Sequence, residues 1–290
     1  PDERPIFYYW DRPETFPARF AEHVTQTRAA APGRSVRLIH DADAQAFLAD
    51  DPELLSIYRR VRIPACRSDI VRLALIHRFG GWYLDTDRFV KGDIDAIGPD
   101  ELALFQRDDP AAEKQGLMGR ITNMFFHAPA GHPFLAAALK SVRHYAATGQ
   151  HTYSVKSFSG PLLFTSLARP PLVADTSLYS FRKAAQGADA LFGKGKDSSA
   201  SSWRLQQHFG IFDGMSPRLD RFPERLTEEK AQIVVSFARR QGLEQEFLDL
   251  VAARPAYRNL QLVRDAVAEV VAATGLKKRA VYNRALELTD

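Results

Sequence analysis

Cysteine is nearly absent: Cys66 is the only one in 290 residues. No disulfide can form within the chain and no CxxC metal knuckle is available, so a reducing, cytoplasmic setting is expected. Long apolar runs are absent too. None approaches the roughly 20 residues that a membrane-spanning helix needs, and no charged-then-apolar leader precedes the first strand. The chain opens on Pro1 without a methionine, which leaves an upstream anchor open. Nor is there a basic block. The 39 Lys and Arg against 35 Asp and Glu give a net charge of +4, scattered along the chain, whereas a nucleic-acid binder concentrates positive charge on one face. Nucleic acid is therefore not an expected partner, although a local basic pocket for a smaller polyanion is compatible with these counts.

What is present is an ordinary globular composition, 45% hydrophobic and 26% charged, able to bury a sizeable core. "RPIFYYW" (4–10) reads as a strand, "ARFAEHVTQTRAAAPG" (18–33) as a helix and "SVRLIHD" (35–41) as a second strand. One or two helices capped by Asp43 follow over 43–61, then a helix over 66–81 with Ser68 as N-cap and Gly80-Gly81 as stop. "WYLD" is the third strand. This alternation predicts an α/β fold with a mostly parallel sheet and helical crossovers. Further strands are expected at 102–106 and 121–128, a helix at 131–149, and a loop leading into a helix at 153–168. The Gly-, Ser- and Lys-rich "FGKGKDSSASSWR" (192–204) predicts a mobile loop. From about Thr227 the pattern is helical, so the expected division is a catalytic domain over 1–215 and a helical C-terminal extension over 216–290.

The chemistry concentrates in "RSDIVRLALIHRFGGWYLDTDRFV", residues 67–90. Asp85 and Asp87 flank Thr86 at the carboxyl end of a strand, where ligands collect in open α/β sheets. Two carboxylates that close repel one another unless something offsets the charge. A hard divalent ion, shared with substrate phosphates, would do so. Asp69 and Arg72 lie three apart on one helical face. An acidic pair in a solvated turn and a surface ion pair are the plainer readings of the same residues.

"SDIVRLALIHRFGGWYLDTD" resembles the signature of DxD-containing sugar transferases of GT-A fold: the yeast initiating mannosyltransferase type, bacterial capsular and oligosaccharide transferases, and the catalytic domains of clostridial glucosylating toxins. The likeness is looser over 5–10, 121–135 and 159–162 and absent over the helical tail. It implies a retaining hexosyltransferase in which Asp85 and Asp87 hold a nucleotide-sugar diphosphate, of UDP or GDP, through Mn2+ or Mg2+, with Asp87 the more direct ligand. Asp69 and Arg72 would grip the donor sugar, Tyr83 would line its pocket, and Trp10 would stack on the nucleobase. The loop ending at Trp203 resembles the toxins' donor lid, with Ser201 completing the metal shell. Their acidic ligand is replaced by Ser198, with Asp197 adjacent, and His208 is an alternative ligand. Asn123, in an apolar run, is a candidate sugar contact.

The acceptor is open among a polysaccharide or other glycan, a lipid-linked glycan and a protein. The helical tail suits a peripheral contact with an anionic inner membrane face or with a protein partner. His127 and His132 are too irregularly spaced for a zinc pair and read as turn residues, and Cys66 reads as a small packed residue. "YLDTDRFV" also fits the nucleophile loop of haloacid-dehalogenase-type phosphatases, although 84 residues precede its first aspartate, Asp85. A non-catalytic sugar-nucleotide-binding module is the third reading.

Overall fold

The computed structural model describes residues 4–109, 114, 119–174, 177–180, 187–195 and 202–261, with 264, 265, 268, 271, 272 and 275 beyond them. The chain forms two compact units, Pro1–Ser198 and Ser199–Asp290. The boundary expected at 215 falls inside the second of them.

The first unit opens with β1 (Ile6–Tyr9), α1 (Ala18–Ala30), β2 (Val36–Ile39), α2 (Asp41–Leu48), α3 (Pro52–Arg60), α4 (Pro64–Phe79) and β3 (Gly81–Leu84). It continues through β4 (Arg88–Val90), β5 (Leu104–Gln106), β6 (Phe125–Ala128), α5 (Pro133–Thr148), α6 (Val155–Phe158), α7 (Pro161–Leu167), β7 (Leu178–Ser180), α8 (Ala188–Leu191) and β8 (Phe192–Lys194). The central sheet runs β2-β1-β3-β6. β1 lies parallel to both β2 and β3, and β6 closes the edge antiparallel to β3. This is the expected α/β architecture with a mostly parallel sheet flanked by helices. Two small sheets, β4-β8 antiparallel and β5-β7 parallel, sit beside it.

Local chemistry sets the boundaries. Proline suits the first turn of a helix because it has no N–H to leave unsatisfied, and Pro64 starts α4 four residues before Ser68. Ser68 is therefore internal to the helix and not its cap. Asp43 is the third residue of α2, returning a bond to the His40 backbone at 3.0 Å, so His40 is the cap. Gly80 ends α4 at φ +66°, and Gly81 follows at +94°, where a Cβ would lie 2.3 Å from Pro5 O. Only glycine permits both the left-handed backbone and that approach to the start of β1. The pair turns α4 straight into β3, whose four residues are all buried.

The expected strand over 121–128 is confined to Phe125–Ala128. Residues 192–204 are not a single loop: β8 pairs with β4, while 196–201 lie outside the described residues. β8 is fixed by an aromatic cluster in which Phe192 lies 4.6 Å from Phe125 and 5.5 Å from Trp82, between ring centroids. Such pairs contribute about 0.5–1.5 kcal/mol each beyond the area they bury.

The second unit holds α9 (Ser202–Gln206), which begins inside the stretch expected to be a loop, and α10 (Glu228–Arg240) and α11 (Glu244–Ala253), which lie where the sequence reads as helical. Phe209 anchors it, 5.2 Å from Phe222 and 5.7 Å from Phe237. Among the described residues no helix is long and apolar enough to cross a membrane.

His127 is a strand residue, fully buried in β6 opposite Trp82, and not a turn residue. Its Nδ1 donates to Glu101 O at 2.7 Å, and Nε2 has no hydrogen-bond partner among the described residues. Burial, aided by the Arg4 and Arg34 charges, outweighs the Glu101 carbonyl and lowers its pKa to about 4 from 6.5. The folded state thus requires neutral imidazole: the stability is fully present above pH 6.5 and is lost as pH falls towards 4. At about 1.4 kcal/mol per pH unit, acidification from 6.5 to 5 should remove about 2 kcal/mol in urea unfolding. His127→Gln should flatten that slope, and an unchanged slope would show that other groups set the acid limit.

Candidate active site

α4 carries Asp69 and Arg72 one turn apart on the face turned towards the carboxyl end of β3, and the chain leaves β3 through Asp85, Thr86 and Asp87. Arg72 joins the two segments. Its Nη2 lies 2.9 Å from Asp85 Oδ1 and 3.2 Å from Asp69 Oδ1. Nη2 also donates to Ser68 Oγ at 2.8 Å, Nη1 donates to Asn123 O, and the guanidinium sits 4.2 Å from the centroid of the Tyr83 ring. The Tyr83 hydroxyl meets Ser68 Oγ at 2.8 Å. Burial alone would lower the Arg72 pKa, but Asp85, Tyr83 and Asp69 more than reverse that and hold the cation above its ordinary value.

Asp69 accepts from Asn123 Nδ2 at 2.7 Å and from Ser159 Oγ at 3.1 Å. Burial pushes its pKa up, and Arg72, Ser159 and Asn123 pull it back. Donors surround it, which identifies it as an ionised carboxylate. Ser159 spends its proton on Asp69, so the contact of 3.4 Å with Cys66 Sγ is a thiol donating to that hydroxyl. Burial pushes the Cys66 thiol well up, in keeping with a packed, inert residue.

Asp85 and Asp87 differ in setting. Burial, with the Asp87 and Asp69 charges, raises Asp85 to about 7 against the pull of Arg72 and Arg88. Its side chain is nonetheless 29% exposed, so solvent reaches the carboxyl and the site is open at that point. Asp87 Oδ1 lies 3.4 Å from Arg88 Nε.

Asp69, Arg72, Tyr83, Asp85 and Asn123 thus form one contact network, with Asp87 at its edge. Trp10, half-buried at the end of β1, packs edge-on to Phe16 and Phe20 at 5.7 and 5.5 Å and donates Nε1–H to Thr15. Trp203 lies in the second unit with Arg204 over its ring at 5.6 Å. His208, also in that unit, faces Phe222 at 5.2 Å, and burial lowers its pKa. Ser201 lies outside the described residues. Sequence reasoning missed Ser68 and Ser159 as partners of the network. Ser68 was legible from its place one turn before Arg72, whereas Ser159 comes from a distant segment and gives no local signal.

A buried cation stripped from its carboxylates leaves charges unpaired, which costs about 3–5 kcal/mol. Arg72→Met should lose that much in urea unfolding. Combining it with Asp69→Asn should recover part of the loss, because the orphaned carboxylate goes too. A purely additive double variant would mean that the pair makes no mutual contribution.

The family model for the "Glycosyltransferase sugar-binding region containing DXD motif" matches residues 17–104. A second, the RsmI C-terminal HTH domain, matches residues 263–289, which fall almost wholly outside the described residues. Two curated proteins of Saccharomyces cerevisiae are similar to the chain over 127 residues: mannosyl phosphorylinositol ceramide synthase SUR1 at 25% identity and its counterpart CSH1 at 24%. Each match spans 43% of this chain but only 31% of the yeast protein. Among solved structures, the PaToxG glycosyltransferase aligns at TM-score 0.47 and 14% identity, over 84% of this chain and 88% of that one. The ligand-free glycosyltransferase domain of the YGT toxin aligns at 0.33 and 10%, over 76% and 69%. Asp69, Arg72, Asp85 and Asp87 all fall inside the segment that is similar to the first family model.

Proposed function

We propose that the chain is a metal-dependent, retaining glycosyltransferase that moves a hexose from a UDP- or GDP-sugar to a hydroxyl acceptor. The observation that supports this reading is the bond of 2.9 Å from Arg72 to Asp85, which sets a buried cation against a DxD turn at the carboxyl edge of parallel strands. The names of the yeast relatives bring forward mannose as the hexose and a phosphorylinositol ceramide as one acceptor class. A glycan or a protein acceptor stays within the proposal. A lipid acceptor would be met at a membrane surface, for which the helical tail is the candidate contact.

The donor set fits a hard dication. Among the described residues no group of three His, Cys, Asp or Glu could hold a metal by itself. Mg2+ characteristically uses one or two carboxylates and takes the rest of its shell from phosphate oxygens and water. The negative charge crowded around Asp85 is what such an ion would relieve. Asp85 and Asp87 would hold it, Asp87 more directly because Arg72 already engages Asp85 Oδ1. Bound there, the ion would neutralise charge on the departing diphosphate.

The protein's own residues account for the rest. Arg72 presents fixed positive charge where the leaving diphosphate becomes more negative, the kind of preorganised field that lowers a barrier most. The bond from the anomeric carbon to the diphosphate breaks as the acceptor oxygen bonds to that carbon from the same face. The acceptor proton passes to a diphosphate oxygen, so this route needs neither a protein base nor a covalent sugar intermediate. Asp69 and Arg72 would bind sugar hydroxyls, with Asn123 fixing Asp69 from behind. Tyr83 would support the guanidinium, and Trp10 would stack on the nucleobase for about 1–3 kcal/mol.

Thermal shift with UDP, GDP and their sugars, with and without Mn2+, tests the reading. A ligand at a hundred times its Kd adds about 2.7 kcal/mol of stability. One nucleotide series should therefore raise Tm, and only with the metal. Asp87→Asn should abolish that shift and reduce turnover by about 100-fold or more, with circular dichroism unchanged. Hydrolysis of a generic phosphomonoester with Mg2+, and indifference to nucleotides, would return the phosphatase reading instead.

A further inference from the structure

The shape of the DxD turn is set from outside the DxD segment. α1 lies against β4 and presents His23 and Thr27, four residues apart and so on one face. Thr27 Oγ1 accepts the Val90 amide at 3.0 Å and meets the Tyr8 hydroxyl at 2.6 Å, while that hydroxyl donates to Arg88 O at 3.2 Å. His23 reaches further along the chain. Its Nδ1 lies 2.8 Å from Thr86 O, the carbonyl between the two aspartates. A carbonyl only accepts, so Nδ1 carries a proton.

The ring is clamped. It stacks on Phe89 at 5.4 Å and 28°, and only 8% of His23 is exposed. Gly193 of β8 and Gly195 just beyond its end cover the two rings. A Cβ on Gly193 would lie 2.0 Å from Phe89 Cζ, and one on Gly195 would lie 2.1 Å from His23 Cε1. The Gly195 amide also donates to Asp87 O at 2.9 Å. Successive carbonyls of the turn, Thr86 O and Asp87 O, are thus held by His23 and by Gly195, and Gly195 can take its place only because it has no side chain.

We infer that His23 is a positioning residue for the DxD turn, fixing the direction in which Asp85 and Asp87 present their carboxylates, with Gly195 as the steric counterpart that keeps the imidazole in place. The inference rests on the glycosyltransferase reading for its consequence, metal and donor binding, but not for its geometry. It also gives the glycines of "FGKG" a reason: they let β8 lie flat on the two rings.

Side-chain chemistry separates support from mere filling. Asparagine places an N–H near the position of Nδ1, whereas leucine fills the volume without a donor. Binding of Mn2+, with and without UDP or GDP, is read from the loss of the free-ion electron paramagnetic resonance signal. Amide hydrogen exchange at Asp87, Arg88 and Gly195 is read in parallel. His23→Leu should weaken Mn2+ binding about tenfold, and His23→Asn by less than about threefold, a difference of one hydrogen bond to the turn. Gly195→Ala, which displaces the ring, should resemble His23→Leu. The three amides should exchange faster in the leucine and alanine variants and stay protected in the asparagine variant. Equal exchange in His23→Leu and His23→Asn overturns the inference, whatever the metal does. A wild-type protein that takes up no Mn2+ overturns the metal reading instead, and exchange alone then decides the role of His23.

Discussion

Arg72 is the residue on which the arrangement depends. A guanidinium with only 5% of its side chain exposed is costly unless its charge and its donors are all answered. They are, by Asp69, Asp85, Ser68, the Asn123 carbonyl and the face of Tyr83. Those partners come from α4, from β3 and its exit, and from the segment before β6. Meeting the needs of one side chain therefore requires α4 to lie under the carboxyl end of β3 and the chain ahead of β6 to pass close by. The glycine pair at 80 and 81 is the covalent means, since it brings β3 back along the helix that carries the arginine.

Around that cation the acids outnumber the bases. Asp69, Asp85 and Asp87 face Arg72 and Arg88, and burial together with the Asp87 and Asp69 charges lifts Asp85 to about 7. The turn that holds the acids is not left to their repulsion. Asp85 N donates to Met124 O at 2.7 Å, Arg88 N closes back on Asp85 O at 2.9 Å, and Gly195 N binds Asp87 O at 2.9 Å. Main-chain bonds thus fix where the carboxylates stand, and the side-chain network fixes their charge. The two functions are separable because they use different atoms of the same residues.

The order of strands and helices up to Leu84 was readable from short apolar runs, helical spacing and the double glycine, although the helix starts at Pro52 and Pro64 were not read from their prolines. The site was readable where its residues are close in sequence, from Asp69 to Asp87. What local pattern could not show was that which depends on distant segments. Ser159 and the clamp of β8 on β4 lie about 90 and 100 residues from their partners, and nothing in "SFSGPL" or "FGKG" states what they touch. The glycines of β8 misled for a physical reason, since a residue without a side chain serves a loose loop and a close approach equally well. Asn123 misled likewise: its apolar neighbours suggested a strand, but the strand begins only at Phe125 and the amide turns inward to Asp69.

The network also has a direction. Exposure of the side chains rises from 5% at Arg72 and 7% at Asp69 to 16% at Asp87 and 29% at Asp85. At the inner end, Cys66, Ser159, Asn123 and Asp69 leave little freedom, because each donor is already committed to one acceptor. At the outer end the Asp85 side chain is the part of the network most open to solvent. A ligand approaching this edge therefore meets acids whose orientation is settled before it arrives, so little reorganisation is left to oppose its binding. This is also why lysine is no substitute at position 72. A compact ammonium can match one or two of these acceptors, whereas the planar fork of arginine reaches both carboxylates, a hydroxyl and a carbonyl at once and still lies flat on an aromatic ring.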